Sequence, residues 1–213
     1  MKTSLALIVA TFHLALVAAA AEAPPAACCA AEKPVAPACC AVLDPAAGLS
    51  DRSLYQLEAA WTNDAGEPVN LTSFRGQPVV VAMFFASCGY ACPVLVNDMQ
   101  RLRAALPAEV RAAARFLLVS FDTARDTPPA LKAFRERSAL DAGWTLVRGE
   151  DDAVQELAML LGVKFRLDPN GQYSHSNLIT VLNPEGEIAH QHNGLMGDMS
   201  EAAQAVVAVT KLP

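Results

Sequence analysis

Two cysteines stand four positions apart in FFASCGYACPVLVNDM: Cys88 and Cys92, directly after a run of strand-forming residues and directly before Pro93. Thiols in that setting serve as a buried pair, a disulfide, a redox dithiol or two ligands of a soft metal. Pro93 suits the first turn of a helix and disfavours the α conformation at the residue before it, so Cys92 is expected at the helix cap and Cys88 in the loop leaving the strand. Both sulfurs then face the positive end of a helix dipole, which favours thiolate, the form that both attacks and ligates. Loops at strand ends are surface sites where function gathers, which argues against a purely structural pair. Three intervening residues make a looser loop than the two of a typical redox dithiol, and match better a metal held between sulfurs.

A metal held by two thiolates wants a third donor, and four histidines are available. His13 lies in the apolar N-terminal stretch and is set aside. His175, in NGQYSHSNLITV, directly precedes a strand-like run, which places it in a loop at a sheet end as the candidate third donor. His190 and His192, in EIAHQHNG, alternate along a strand, share a face and read as solvated surface histidines.

These residues need a scaffold. SLYQLEAAWTNDAGEPVNLTSF reads as two short strands about a turn at Asp64-Ala65-Gly66, with Tyr55 and Trp61 available to the core. Val79 to Phe85 is a near-continuous β-branched and aromatic run of the kind buried on both faces, hence a central strand. Leu95, Met99, Leu102 and Leu106 then recur at helical spacing. Arg115 to Phe121 is a second strand, and TPPALKAFRERSAL a helix with Thr127 as cap. WTLVRG reads as a short strand, and DDAVQELAMLLGV as a helix opened by acidic residues and closed by Gly162. SNLITVLNPEGEIAHQHNG reads as a hairpin turning at Asn183 to Gly186, and MSEAAQAVVAVTKL as a last helix. Strands alternating with helices, then a hairpin and a helix, predict an α/β fold with a mixed central sheet covered on both faces. That order matches a thioredoxin-like fold, and the late antiparallel hairpin argues against a flavodoxin-like one.

The start of the chain differs in kind. Lys2, an apolar stretch from Leu5 to Val17 and the small residues Ala19-Ala20-Ala21 read as an export signal over residues 1–21. The alternative, an uncleaved membrane anchor, is weakened by His13 in its middle. Residues 22–50 form an Ala/Pro-rich linker carrying the vicinal pairs Cys28-Cys29 and Cys39-Cys40. Those thiols either pair as disulfides, sit as redox-labile groups or hold a soft metal. Residues 51–213 read as one domain. The expected location is the bacterial periplasm, tethered to the inner membrane if the first segment is retained. A formal charge of -6 with no Lys/Arg run argues against nucleic acid as a partner.

From about Ser53 onward the chain resembles the Sco/SenC family of copper chaperones. The resemblance rests on a strand followed by SCGYACP, on VSFDTARDTPPALKAF, and on His175 in front of a strand that ends in a Pro-x-Gly turn. It implies a thioredoxin-like fold and a copper site made by Cys88, Cys92 and His175. It further implies delivery of copper to the binuclear site of cytochrome c oxidase subunit II or another cuproprotein, with an upstream copper donor, or upkeep of the partner's cysteines. The chain departs from the family where Pro-Asp is common inside the cysteine loop and Asp before the histidine; here stand Gly89-Tyr90 and Ser174. Two thiolates and an imidazole form a soft, low-coordinate set suited to Cu(I), and with a weak extra donor to Cu(II). Asp122, at a strand end beside this site, either orients a ligand or closes a turn, and Asp126 sets the turn before Pro128. The rival function is a thiol-disulfide oxidoreductase, which needs Cys88 and Cys92 but no imidazole. A peroxidase fits less well, because its reactive cysteine has no need of a second one four residues on. Asn70-Leu71-Thr72 matches a glycosylation sequon, to which no function is attached.

Overall fold

The computed structural model describes residues 48–210. The expected export signal, nearly all of the expected linker and its four cysteines lie outside the described residues. Among the described residues nine strands and five α-helices follow one another: β1 (Trp61–Asn63), β2 (Pro68–Val69), β3 (Val79–Phe84), α1 (Ala91–Ala105), α2 (Ala108–Ala113), β4 (Arg115–Ser120), α3 (Pro128–Arg137), β5 (Trp144–Arg148), α4 (Asp151–Leu161), β6 (Phe165–Leu167), β7 (Tyr173–His175), β8 (Leu178–Leu182), β9 (Ile188–Asn193) and α5 (Ser200–Val209).

Seven strands make one mixed sheet in the order β2-β1-β5-β4-β3-β8-β9. Strands β3, β4 and β5 run parallel, while β8 returns antiparallel to β3 and β9 antiparallel to β8. Val79 to Phe84 are all buried, as a strand with neighbours on both edges and helices on both faces must be. Leu95, Met99 and Leu102 of α1 are fully buried, so the helical stripe faces the sheet. Helix α5 packs beside α1. On the opposite face Gln191 donates to the Leu161 carbonyl at the end of α4, 2.8 Å away.

Gly162 ends α4 in the left-handed conformation at φ 75°, where only glycine is free of Cβ strain. The turn expected at Asp64-Ala65-Gly66 joins β1 to β2, and the hairpin expected around Pro184 joins β8 to β9. Thr127 does occupy the cap of α3, but its side chain makes no capping bond; Pro129 at the second helical position removes one of the donors it would have met.

Two elements were not foreseen. Helix α2 is a short turn of helix after Pro107. The second is a separate two-stranded sheet, β6 with β7, and it corrects the placement of His175. That residue is the last of β7, paired with Phe165, rather than part of a loop. Asp168-Pro169-Asn170-Gly171 makes the turn: the Asp168 carboxylate accepts from the Asn170 and Gln172 N–H groups, and Gly171 has φ +76°. A Pro-Asn-Gly turn between Phe165-x-Leu167 and Tyr173-x-His175 is itself a hairpin signal.

Candidate metal centre

Strand β3 delivers the chain to Phe85 and Ala86, and residues Ser87 to Tyr90 loop over to α1. The loop closes with a bond from the Cys88 N–H to the Phe85 carbonyl, 3.2 Å. Tyr90, not Cys92, is the residue at the helix cap. Cys92 and Pro93 both lie inside the first turn, where a proline's missing N–H is one of the four that have no intrahelical partner anyway. The shift by two residues turns Cys92 inward.

Cys92 is fully buried and Cys88 partly so. Burial pushes the Cys92 thiol far above its ordinary value; the Phe85 N–H that donates to its sulfur at 3.5 Å pulls the other way and is outweighed. The expected low-pKa thiolate at a helix terminus is therefore not found at Cys92, because desolvation of the charged form exceeds the gain from N–H groups and dipole. A cation arriving between the sulfurs would supply the charge that the buried thiolate lacks. The Cys92 N–H points to the Cys88 sulfur at 3.3 Å.

The hairpin β6-β7 brings His175 over this corner. Its Nε2 stands 3.9 Å from the Cys92 sulfur, and Nδ1 lies 3.1 Å from the Ser176 carbonyl. An Nδ1–H donated to that carbonyl leaves the Nε2 lone pair free toward the sulfurs, the tautomer a metal needs. The ring is held edge-on by Phe85, centroids 5.8 Å apart, and against Phe121 at 5.3 Å. One ligand atom from each of Cys88, Cys92 and His175 falls within 4.8 Å of the others. Bonds of about 2.3 Å to sulfur and 2.0–2.1 Å to nitrogen put such atoms roughly 3.5–3.8 Å apart, so the three can close on one ion with small adjustment. The donor set is two soft sulfurs and an imidazole in a largely apolar surround, which fits copper better than a hard cation.

Asp122 and Asp126 are both buried. Asp122 is a turn carboxylate, accepting from the Arg125 side chain at 2.5 Å and from the Arg125 N–H at 3.3 Å. Asp126 does more than set its own turn. It accepts from the Ala86 N–H at 2.7 Å and the Ser120 hydroxyl at 2.5 Å, and so ties that turn to the start of the cysteine loop. The Ala86 carbonyl in turn accepts from Arg137.

His190 and His192 do not join the cluster, and they are not the solvated residues expected. Both are half-buried, and the Nε2 of each is buried with no hydrogen-bond partner. They pair across β9 and β8 with Val181 and Ile179, and the His192 ring lies against Gly197, where a Cβ would stand 2.4 Å from Nε2. Strand alternation did put them on one face, but that face is partly covered, by the segment around Gly197 in the case of His192. Asn70 caps a 3-10 turn, its side chain accepting from the Thr72 N–H. The residues missed by sequence reasoning are those around the ligands: Phe85, Phe121, Tyr173, Arg125 and Arg137. Arg125 stands in the Arg-Asp-Thr-Pro stretch already singled out.

The SCO1/SenC family model matches residues 51–211. A Stutzerimonas stutzeri protein named "Putative copper-binding protein" is 32% identical over 142 residues, covering 65% of this chain and 68% of its own. Yeast Sco1 with copper bound superposes with a TM-score of 0.60 at 21% identity, over 70% of this chain and 84% of that one. BsSco, described as a member of the Sco family of cytochrome c oxidase assembly proteins and as having a disulfide switch, gives 0.61 at 22% identity, over 72% and 92%. The mixed sheet and its helices are thus the thioredoxin-like fold of these proteins, and with the family model spanning the whole folded part, the chain belongs to the SCO1/SenC family.

Proposed function

We propose that this protein is an exported copper carrier that holds one copper ion, as Cu(I) or Cu(II), between Cys88, Cys92 and His175 and delivers it to the binuclear copper site of cytochrome c oxidase. The observation that carries the reading is the convergence of two sulfurs and a correctly oriented imidazole within 4.8 Å. The copper named for the Stutzerimonas relative and bound to yeast Sco1, and the oxidase-assembly role named for the BsSco family, support it. Export is supported by Lys2, the apolar stretch after it and the alanines at 19–21. Partly exposed Cys88 is where an acceptor's thiolates would first reach the ion, while buried Cys92 holds it until exchange is under way.

A titration with Cu(I) against a chromophoric chelator, on protein whose four linker cysteines are serine, tests the binding step. One copper per chain is expected, held at least tenfold more weakly after His175→Ala; equal affinity in that variant would sink the three-ligand site. Delivery is tested by incubating the loaded protein with the apo copper domain of the oxidase subunit and following metal transfer.

The second reading, a reductase of a partner's cysteines, is favoured by one observation: an accessible sulfur at Cys88 is backed by a buried one at Cys92, the arrangement of an attacking and a resolving thiol. A His175→Ala protein that still reduces its target while holding no copper would favour that reading.

A further inference from the structure

We infer that the turn from Asp122 to Asp126 is a two-armed bracket that sets the distance between the thiol pair and the imidazole, with Arg125 and Asp126 as positioning residues. The claim rests on the three-ligand reading only for its copper readout.

The need for a bracket comes from the hairpin. Strands β6 and β7 are three residues each and form their own sheet, separate from the seven-stranded one. A two-stranded hairpin is marginal by itself in water. Between it and α4 lies an open cleft of about 480 Å³, with Asp151, Val154 and Gln155 on one wall, Phe165, Leu167 and Tyr173 on the other, and Phe121, Thr123 and Ala124 between them. With that cleft keeping α4 apart from it, the hairpin is anchored by direct contacts from the corner that follows β4.

That corner holds the hairpin by one arm and the cysteine loop by the other. Phe121 stacks on Phe165 with centroids 4.9 Å apart and meets Tyr173 at 5.1 Å. Arg125, locked by the buried Asp122 carboxylate, donates to the Gly171 carbonyl at 3.1 Å and lays its guanidinium over the Tyr173 ring at 5.6 Å. Arg125 thus touches both the turn of the hairpin and the strand that ends in His175. Asp126, one residue on, takes the Ala86 N–H, adjoining the Phe85 N–H that donates to the Cys92 sulfur. Both partners of the 3.9 Å sulfur–nitrogen approach are referred to adjacent residues of one turn. Supporting groups of this kind commonly change metal affinity by about ten- to a hundredfold.

The test uses the full chain with Cys28, Cys29, Cys39 and Cys40 replaced by serine, so that only Cys88 and Cys92 supply thiols. Amide hydrogen exchange is followed in the metal-free protein, and Cu(II) charge-transfer and EPR spectra after loading. Arg125→Ala is expected to raise exchange across residues 165–175 at least tenfold with β3 and β4 unchanged. Its copper spectrum should lose the nitrogen coupling in the manner of His175→Ala. Asp126→Ala should speed exchange across residues 85–92 and shift the charge-transfer band. Asp126→Asn should restore both, because a single oxygen accepts both of the bonds made there. Wild-type exchange over the hairpin in Arg125→Ala overturns the proposal, as does an Asp126→Asn protein indistinguishable from Asp126→Ala. Arg125 is nearly half exposed but pairs with the buried Asp122 carboxylate, so Asp122→Asn/Arg125→Ala, which leaves no unpaired buried charge, is measured beside it; raised hairpin exchange in both variants supports the bracket, and wild-type exchange in the double variant overturns it. A wild-type protein that takes up no copper would defeat the carrier reading, while the exchange pattern would still decide the bracket.

Discussion

Cys92 is at once a candidate ligand and a core residue, and the two roles separate by mutation. Cys92→Ser places a hydroxyl in a fully buried apolar site and is expected to lower stability by about 1–3 kcal/mol. Cys88→Ser, at a partly exposed position, should stay within about 0.5 kcal/mol of wild type. Both should lose copper, and urea denaturation of the metal-free proteins checks the difference. Asp126 makes a second prediction at this scale. Burial raises its carboxyl, with the Ser120 and Ala86 bonds only partly opposing. The folded state therefore holds this proton to higher pH than the unfolded chain does, and the stability it contributes is present at low pH and lost as pH rises through the folded value. Asp126→Asn removes that loss, so the stability of the variant relative to wild type should grow as pH is raised through the acid range, read from denaturation midpoints at each pH.

At the scale of elements, the β8-β9 turn shows how a local signal and a distant contact meet. Asn183 accepts from the Glu185 and Glu187 N–H groups, closing the turn from within. Gly186 has φ +84°, and a Cβ on it would stand 2.6 Å from the Tyr55 ring, which comes from the other end of the domain. Gly186→Ala is thus expected to cost at least about 2 kcal/mol, from left-handed strain together with overpacking against a buried ring. Gly66, also at positive φ but with nothing within 4 Å, should lose only the strain energy when changed to alanine, about 1 kcal/mol. Chemical denaturation of the two variants separates conformation from contact. The short hairpin β6-β7 belongs to the same class as the Tyr55 contact: its turn is written in the sequence, while its place against Phe121 is a matter of packing.

For the whole molecule, the core runs from Leu54 to Val206 among the described residues and includes every buried strand of the large sheet. Leu49 packs against this core, so a chain beginning at Gly48 is expected to unfold at the same denaturant midpoint as the full chain, within error, and with the same slope; a lower slope would mean that core has been lost. Much of this scaffold was legible beforehand. Val79 to Phe85, Leu95 to Leu106, the glycine that ends α4 and the closing hairpin each follow from periodicity and turn chemistry acting over a few neighbouring residues, and the two cysteines after a central strand mark the reactive rim. Tertiary structure alone decided the rest. It buried Cys92 and so raised rather than lowered its thiol, buried the Nε2 atoms of His190 and His192, and carried His175 across on a separate hairpin to within 3.9 Å of a sulfur far away in sequence. Periodicity reports which side of an element is apolar. Desolvation and the meeting of ligands depend on which other segments come to lie against that side, and no local pattern holds that information.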